Sequence, residues 1–197
     1  MKKIMILPIL PYGNPILRAK ALEINKSYPK LKDLIKNMWD TMYSANGVGL
    51  AAPQIGLSIR IFVIDTFPFS EQEELSKKES MELSTFKKVF INPKIIEHSG
   101  EDWDFNEGCL SIPDIREDIS RKESIKINFL DENFVPKNLI LSGIKARVVQ
   151  HEYDHLEGIL FTDYLSPLKK RILKKKLYNI SKGKIKTDYL MKFKQEN

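Results

Sequence analysis

Residues 150–156 read QHEYDHL, with His151 and His155 four apart and Glu152 directly after the first. On an α-helix, positions i and i+4 share a face, so two imidazoles placed this way can chelate one cation. Glu152 lies one position round, too far to share the ligand plane but within reach of a water on that cation. That is the mechanical content of H-E-x-x-H: two ligands and a general base. The blander reading is a pair of histidines with ordinary partners. The chain has three histidines in all, so two in register beside a glutamate are less easily accidental.

A catalytic cation usually needs a third protein ligand and one open position. A glutamate about 20 residues downstream, as in thermolysin-like peptidases, is excluded because residues 164–187 contain no acid. The longer pattern H-E-x-x-H-x-x-G-x-x-H is met at Gly158 but fails at Phe161. Cys109 and His98 remain. Cys109 is favoured, since a thiolate suits zinc or ferrous iron and NEGCLSIPD places it before a turn. His98, in IIEHSGED, reads as exposed at a strand end.

The elements that must position these groups are partly visible. Leu31, Leu34, Ile35, Met38, Trp39 and Met42 form one apolar stripe, which predicts a helix over 29–45 with Pro29 in its first position. GVGLAAPQIG is too glycine-rich for a helix interior and too small-sided for an ordinary strand. SIRIFVID (58–65) and VFINPKIIEH (89–98) read as strands, and 123–130 with 134–141 as a hairpin. Ser142 caps a helix that carries the histidines and ends at Gly158. Ser166, Pro167 and Gly183 delimit a second helix, and a short strand is expected within 185–193. Strands and helices do not alternate regularly. The expected fold class is therefore α+β, with mainly antiparallel sheets around a central metal-binding helix and a basic C-terminal helix.

The length of 197 residues fits one domain, 1–197, with 66–88 as an insertion and 165–197 as a basic helix and tail. No apolar run approaches the ~18 residues of a membrane span. The opening MKKIMILPIL is broken by prolines and reads as a first strand rather than a secretory leader. A single cysteine permits no intramolecular disulfide, which agrees with a reducing compartment. Residues 169–197 hold eleven Lys/Arg against two acids, a net of +9 in a chain of +6, so the other 168 residues net −3. Such a tail could meet nucleic acid or an acidic surface; the plainer reading is a solvated helix face.

Three stretches, GVGLAAPQ (47–54), EGCLS (107–111) and QHEYDH (150–155), resemble the three signature motifs of the peptide deformylases, in the same order. The likeness extends from ILPYGNPILR to FTDYLSPLKK and does not obviously cover 66–88. The resemblance implies removal of formate from N-formylmethionine on newly made chains, by attack of a metal-bound water assisted by Glu152. It implies Cys109, His151 and His155 as ligands of Fe²⁺, with Zn²⁺, Ni²⁺ or Co²⁺ able to substitute. Gln54 and the backbone N–H of Leu110 would hold the oxyanion. Formylated nascent peptides are the implied partners and a bacterial cytoplasm the implied home. The basic helix is compatible with ribosome contact; neither a membrane nor specific DNA is expected.

Ile144 and Val148 fall on the helix face of the histidines, where they would border a pocket for methionine, and Val48 and Phe105 are placed to close it. Plain core is the alternative for all four. Gly49 and its neighbours would let a substrate backbone pair with a strand edge. Either Arg116 or Arg121 could pair with Glu107 or meet the substrate. Asp154 is a candidate support for the site or an exposed helix acid. Two rival readings are a metallopeptidase with a non-cysteine third ligand and an RNA- or ribosome-binding protein.

Overall fold

The computed structural model describes residues 5–193. Five strands form one antiparallel sheet in the order β1 (Gly49–Ala51), β2 (Ile61–Asp65), β3 (Lys87–Cys109), β4 (Ile112–Leu130) and β5 (Pro136–Ser142). Four α-helices accompany it: α1 (Leu31–Ser44), α2 (Lys77–Ser84), α3 (Gly143–Glu157) and α4 (Pro167–Ser181). This is the expected α+β class.

The sequence of β2, IFVID, explains the layering. Successive side chains point to opposite faces, and every residue of β2 is buried. Ile61 and Val63 pack with Ile35, Met38 and Met42 of α1, while Phe62 and Ile64 pack with Ala146, Val149 and Leu156 of α3. The sheet is thus sandwiched between two helices. A third cluster joins Leu173, Leu177 and Ile180 of α4 to Ile112, Ile115 and Ile119 of β4 and to Phe161.

Several elements differ from expectation. α1 starts at Leu31, after Pro29, because Lys30 takes a left-handed backbone (φ 54°) that no helix can include. β1 makes a three-residue strand from the small residues Gly49, Leu50 and Ala51, which pair with β2. β2 begins at Ile61; upstream of it Ile59 makes only an isolated bridge, to Leu22. β3 runs past 98 to Cys109, and β4 begins at Ile112, so the two form a long ribbon with register shifts. The middle of β3, residues 96–102, is exposed on both faces, which hides it from apolar periodicity, whereas β4 opposite keeps Ile119 and Ile125 buried. β5 begins at Pro136. Ser142 precedes α3, but its side chain makes no capping bond. Gly158 ends α3 with φ 75°, and a Cβ there would lie 2.6 Å from the Arg18 carbonyl oxygen. The expected strand within 185–193 is a single bridge, Met191 to Ile9, and among the described residues that bridge is also the only β-pairing of the expected first strand; Met1–Ile4 lie outside the described residues.

Within 66–88 lie a short 3-10 turn at Phe67–Phe69 and helix α2, whose Ser76 and Glu79 cap its start reciprocally. Among the described residues no helix is long and apolar enough to cross a membrane.

Candidate metal centre and active site

α3 presents His151 and His155 toward the end of β3, where the chain turns back through Leu110 and Ser111 into β4. Cys109, the last residue of β3, lies beside them, with Sγ 3.3 Å from Nε2 of His155. One ligand atom from each of Cys109, His151 and His155 falls within 4.8 Å of the others. Ligand atoms around a tetrahedral zinc or iron, at bond lengths of 2.0–2.3 Å, lie roughly 3.3–3.8 Å apart, so the donor set fits such an ion. His98 is exposed in the ribbon and takes no part.

The protonation pattern also fits a cation. Burial, then His151 and Arg121, pushes His155 well below the usual histidine range, leaving a neutral ring with a free lone pair. Burial acts the same way on His151, but the Cys109 thiol and the Glu107 carboxylate outweigh it and favour positive charge on that ring. A cation at the ring's other nitrogen would meet the same neighbours, Cys109 and Glu107, once that nitrogen is deprotonated. His151 Nδ1 is hydrogen-bonded to Glu107 Oε2 at 2.9 Å, which turns Nε2 toward the cysteine.

Glu107 anchors the arrangement. Its carboxylate accepts two hydrogen bonds from Arg121, at 2.7 and 3.1 Å, and one from Arg147 Nη1 at 3.0 Å. Burial acts to raise its pKa, yet His151 and Arg121 hold it well below the usual carboxylate range. Arg121 reaches on to Asp154 at 2.6 Å, and Tyr164 donates to the same carboxylate oxygen at 2.9 Å. Asp154 is therefore a buried support and not an exposed acid. Arg116 instead donates from Nε to Asn106 Oδ1 at 2.8 Å and lines the cavity.

Glu152 is buried, and its Oε2 has no hydrogen-bond partner. Desolvation pushes its pKa up to about 7, so the carboxyl group can gain or lose a proton near neutrality. Gln54 is pinned by the backbone N–H of Ala51, which donates to Oε1 at 2.8 Å. Its NH₂ consequently faces Cys109 Sγ at 3.6 Å and Ser111 Oγ at 3.4 Å.

A cavity of about 510 Å³ opens at this centre. Val48, Gly49, Phe105 and Val148 line it, together with Leu110, Gln54, Cys109, His151 and Glu152. Ile144 does not; it packs against the core between sheet and α3, so for that residue the plain-core alternative holds. The helix face is wider than the cavity mouth, and Ile144 sits a turn beyond it. Among the further lining residues that escaped the sequence reading are Phe69, Arg147 and Tyr189. Arg147 stands four before His151, which could have signalled it. Phe69 lies in a stretch without pattern, and Tyr189 lies far along the chain.

The chain resembles known proteins along nearly its whole length. The sequence matches the family model described as polypeptide deformylase over residues 6–171. Peptide deformylase of Christiangramia forsetii is 60% identical over 189 residues, 96% of each chain, and that of Flavobacterium johnsoniae is 58% identical over the same share. A crystal structure of a peptide deformylase from Legionella pneumophila superposes with a TM-score of 0.75 at 38% identity, covering 89% of this chain and 95% of that one. Peptide deformylase 1B of Arabidopsis thaliana, solved with an inhibitor, gives 0.76 at 35%, covering 90% and 92%. By sequence and by structure this chain belongs to the polypeptide deformylase family, metal-dependent hydrolases that remove the N-formyl group from methionine.

Proposed function

We propose that the chain deformylates newly made proteins with Cys109, His151 and His155 as ligands of one divalent cation, Glu152 as the proton carrier, and Gln54 and Leu110 as oxyanion donors. The observation that carries this reading is the unpaired, buried Oε2 of Glu152, on a residue that lines the same cavity as Cys109 and His151 of the gathered ligand group. Ferrous iron suits a site with one thiolate and two imidazoles, and zinc, nickel or cobalt suit it as well. The bound cation supplies Lewis acidity and brings the pKa of water toward neutrality.

The protein's own groups do the rest. Glu152 Oε2 takes a proton from the attacking water and returns it to the leaving amine nitrogen, a role for which a pKa of about 7 is suited. The Gln54 NH₂, held in one orientation by Ala51, and the Leu110 N–H stabilise the negative oxygen that develops on the formyl carbon. Val48, Phe105 and Val148 offer the methionine side chain an apolar place, and Gly49 lines the cavity where β1 could meet the peptide backbone.

The whole chain acts as one catalytic domain, with 66–88 as an insertion. It works in a bacterial cytoplasm, where α4 approaches the ribosome. Leu168, Ile172 and Tyr178 stand exposed on α4 among Lys170, Arg171 and Lys174–Lys176, a surface that suits an acidic partner.

The test is formate release from formyl-Met-Ala-Ser by anaerobically purified protein, with bound metal counted alongside. About one equivalent of metal and rapid formate release are expected, and Cys109→Ala should lose most of both. Cleavage of unformylated peptides, or full metal and activity in Cys109→Ala, would refute the assignment.

A further inference from the structure

The C-terminal segment beyond α4 returns to the active site. Tyr189 lines the cavity, and its hydroxyl donates to the carbonyl oxygen of Leu110 at 2.7 Å. We propose that Tyr189 is a positioning residue for the oxyanion donor, acting through the Leu110–Ser111 turn. The proposal rests on the reading of the Leu110 N–H as that donor.

The turn needs such a hold. Leu110 and Ser111 join β3 to β4, and the flanking pair Cys109 and Ile112 secures only its base. Two-residue turns relax by rotating their peptide planes. The Ser111 carbonyl is fixed by the backbone N–H of Tyr12 at 2.8 Å. The Leu110 carbonyl is fixed by Tyr189. The Leu110 N–H belongs to the peptide shared with Cys109 and the Leu110 carbonyl to the next one. The Cys109–Ile112 pair on one side and Tyr189 on the other therefore restrict the two Leu110 dihedrals between them, and with these the direction of the N–H, as a preorganised donor requires.

The support is itself anchored. Met191 bridges to Ile9, with Ile9 N–H donating to Leu190 at 2.9 Å and Lys192 N–H to Ile9 at 2.9 Å. Thr187 Oγ1 donates to the Tyr189 carbonyl at 2.9 Å, and the ring packs with the α1 cluster. The next residue of the N-terminal segment, Leu10, donates to the Gln54 carbonyl at 2.7 Å. One piece of backbone, 9–12, therefore ties together Gln54, the Leu110 turn and the tail that carries Tyr189. This segment-to-site coupling is built from residues on four remote parts of the chain: 9–12, Gln54, the Leu110–Ser111 turn and 187–192.

The experiment compares Tyr189→Phe with Gln54→Ala in the full-length, nickel-loaded protein, using formyl-Met-Ala-Ser as substrate. Phenylalanine keeps the ring packing and removes only the hydroxyl. The expected result is a kcat lower by about tenfold, a fraction of the 10²–10³ that a lost oxyanion donor removes. KM, melting temperature, metal content and competitive binding of the product Met-Ala-Ser should stay near wild type, since the effect belongs to the transition state. Wild-type kcat in Tyr189→Phe, beside a large loss in Gln54→Ala, would overturn the positioning role and leave the oxyanion reading intact. A loss in Tyr189→Phe shared by KM and melting temperature would assign the residue to packing and overturn it too. Wild-type kcat in both variants would remove the oxyanion reading itself.

Discussion

Gly49 of β1 lies against the carboxyl arm of Glu152 in α3, so closely that a Cβ at Gly49 would stand 2.7 Å from Cδ and 2.8 Å from Cγ of the glutamate. Two stretches about a hundred residues apart in the chain are interlocked here, and the smallness of one sets the place of the other. Gly49→Ala should displace the Glu152 carboxyl without touching a metal ligand. Deformylation should fall about 100-fold, comparable to losing much of general acid/base help, while bound metal stays near wild type. Metal analysis beside steady-state kinetics checks this. An alanine variant with full activity would show that Glu152 works from another position.

Glu152→Gln separates proton transfer from metal binding. The amide is nearly isosteric but cannot accept a proton at neutral pH. The expected loss is ~10²–10⁴ in kcat, with KM and metal content little changed. Single-turnover formate release is the measurement, and wild-type kcat would remove Glu152 from the chemistry.

Glu107 holds two buried arginines and the His151 ring at once. Removing one partner of a buried ionic network leaves charge unpaired, at about 3–5 kcal/mol. Glu107→Ala should lower the urea midpoint by a corresponding amount and weaken metal affinity about 10–100-fold through the freed imidazole. Equilibrium unfolding and a chelator competition read the two effects separately; an unchanged metal affinity would contradict the orienting role.

Glu157 gives a pH test away from the metal. Burial acts to raise its pKa, but Lys20 and Arg60, the latter donating at 2.7 Å, hold it below the ordinary value of 4.5. A depressed folded pKa means that the stabilisation is fully present above the unfolded value and is lost as pH falls through the folded one. The urea midpoint of the wild type should therefore drop below about pH 4.5. Glu157→Gln should start lower at neutrality and lose less on acidification. Parallel curves for the two proteins would show that this pair does not contribute.

Reversing the charge of Lys174, Lys175 and Lys176 tests the exposed face of α4. Leu173, Leu177 and Ile180 fasten the helix to the core, so the fold should survive. Ribosome co-sedimentation should weaken, more visibly at low salt, while formyl-Met-Ala-Ser turnover stays unchanged. Co-sedimentation equal to wild type would place any ribosome contact elsewhere.

Local spacing was enough to bring forward the candidate ligands, and the fold gathers Cys109, His151 and His155 together. His151 and His155 share a face because the helix repeat puts them there, and Cys109 is the chain's one thiolate donor. The helices were legible for the same reason: the apolar stripe of α1, the Gly158 stop of α3 and the Ser166, Pro167 and Gly183 signals of α4 all act within a turn or two. Glu107 was visible inside its motif, but not its role, because which arginine pairs with it depends on the register of β3 against β4.

What the sequence carried by itself is therefore short in range: the spacing of the candidate ligands His151 and His155 with the candidate proton carrier Glu152, the apolar stripe of α1, the helix stops and the uneven charge. What only the tertiary structure decided is everything that depends on remote segments meeting. β3 reaches Cys109 through an exposed ribbon whose polar pattern carries no strand signal, and Ile144 turns into the core while Phe69, Arg147 and Tyr189 enter the cavity. Periodicity records which face of an element is apolar. It does not record which distant segment that face will meet, because that choice is made by the packing of the whole chain.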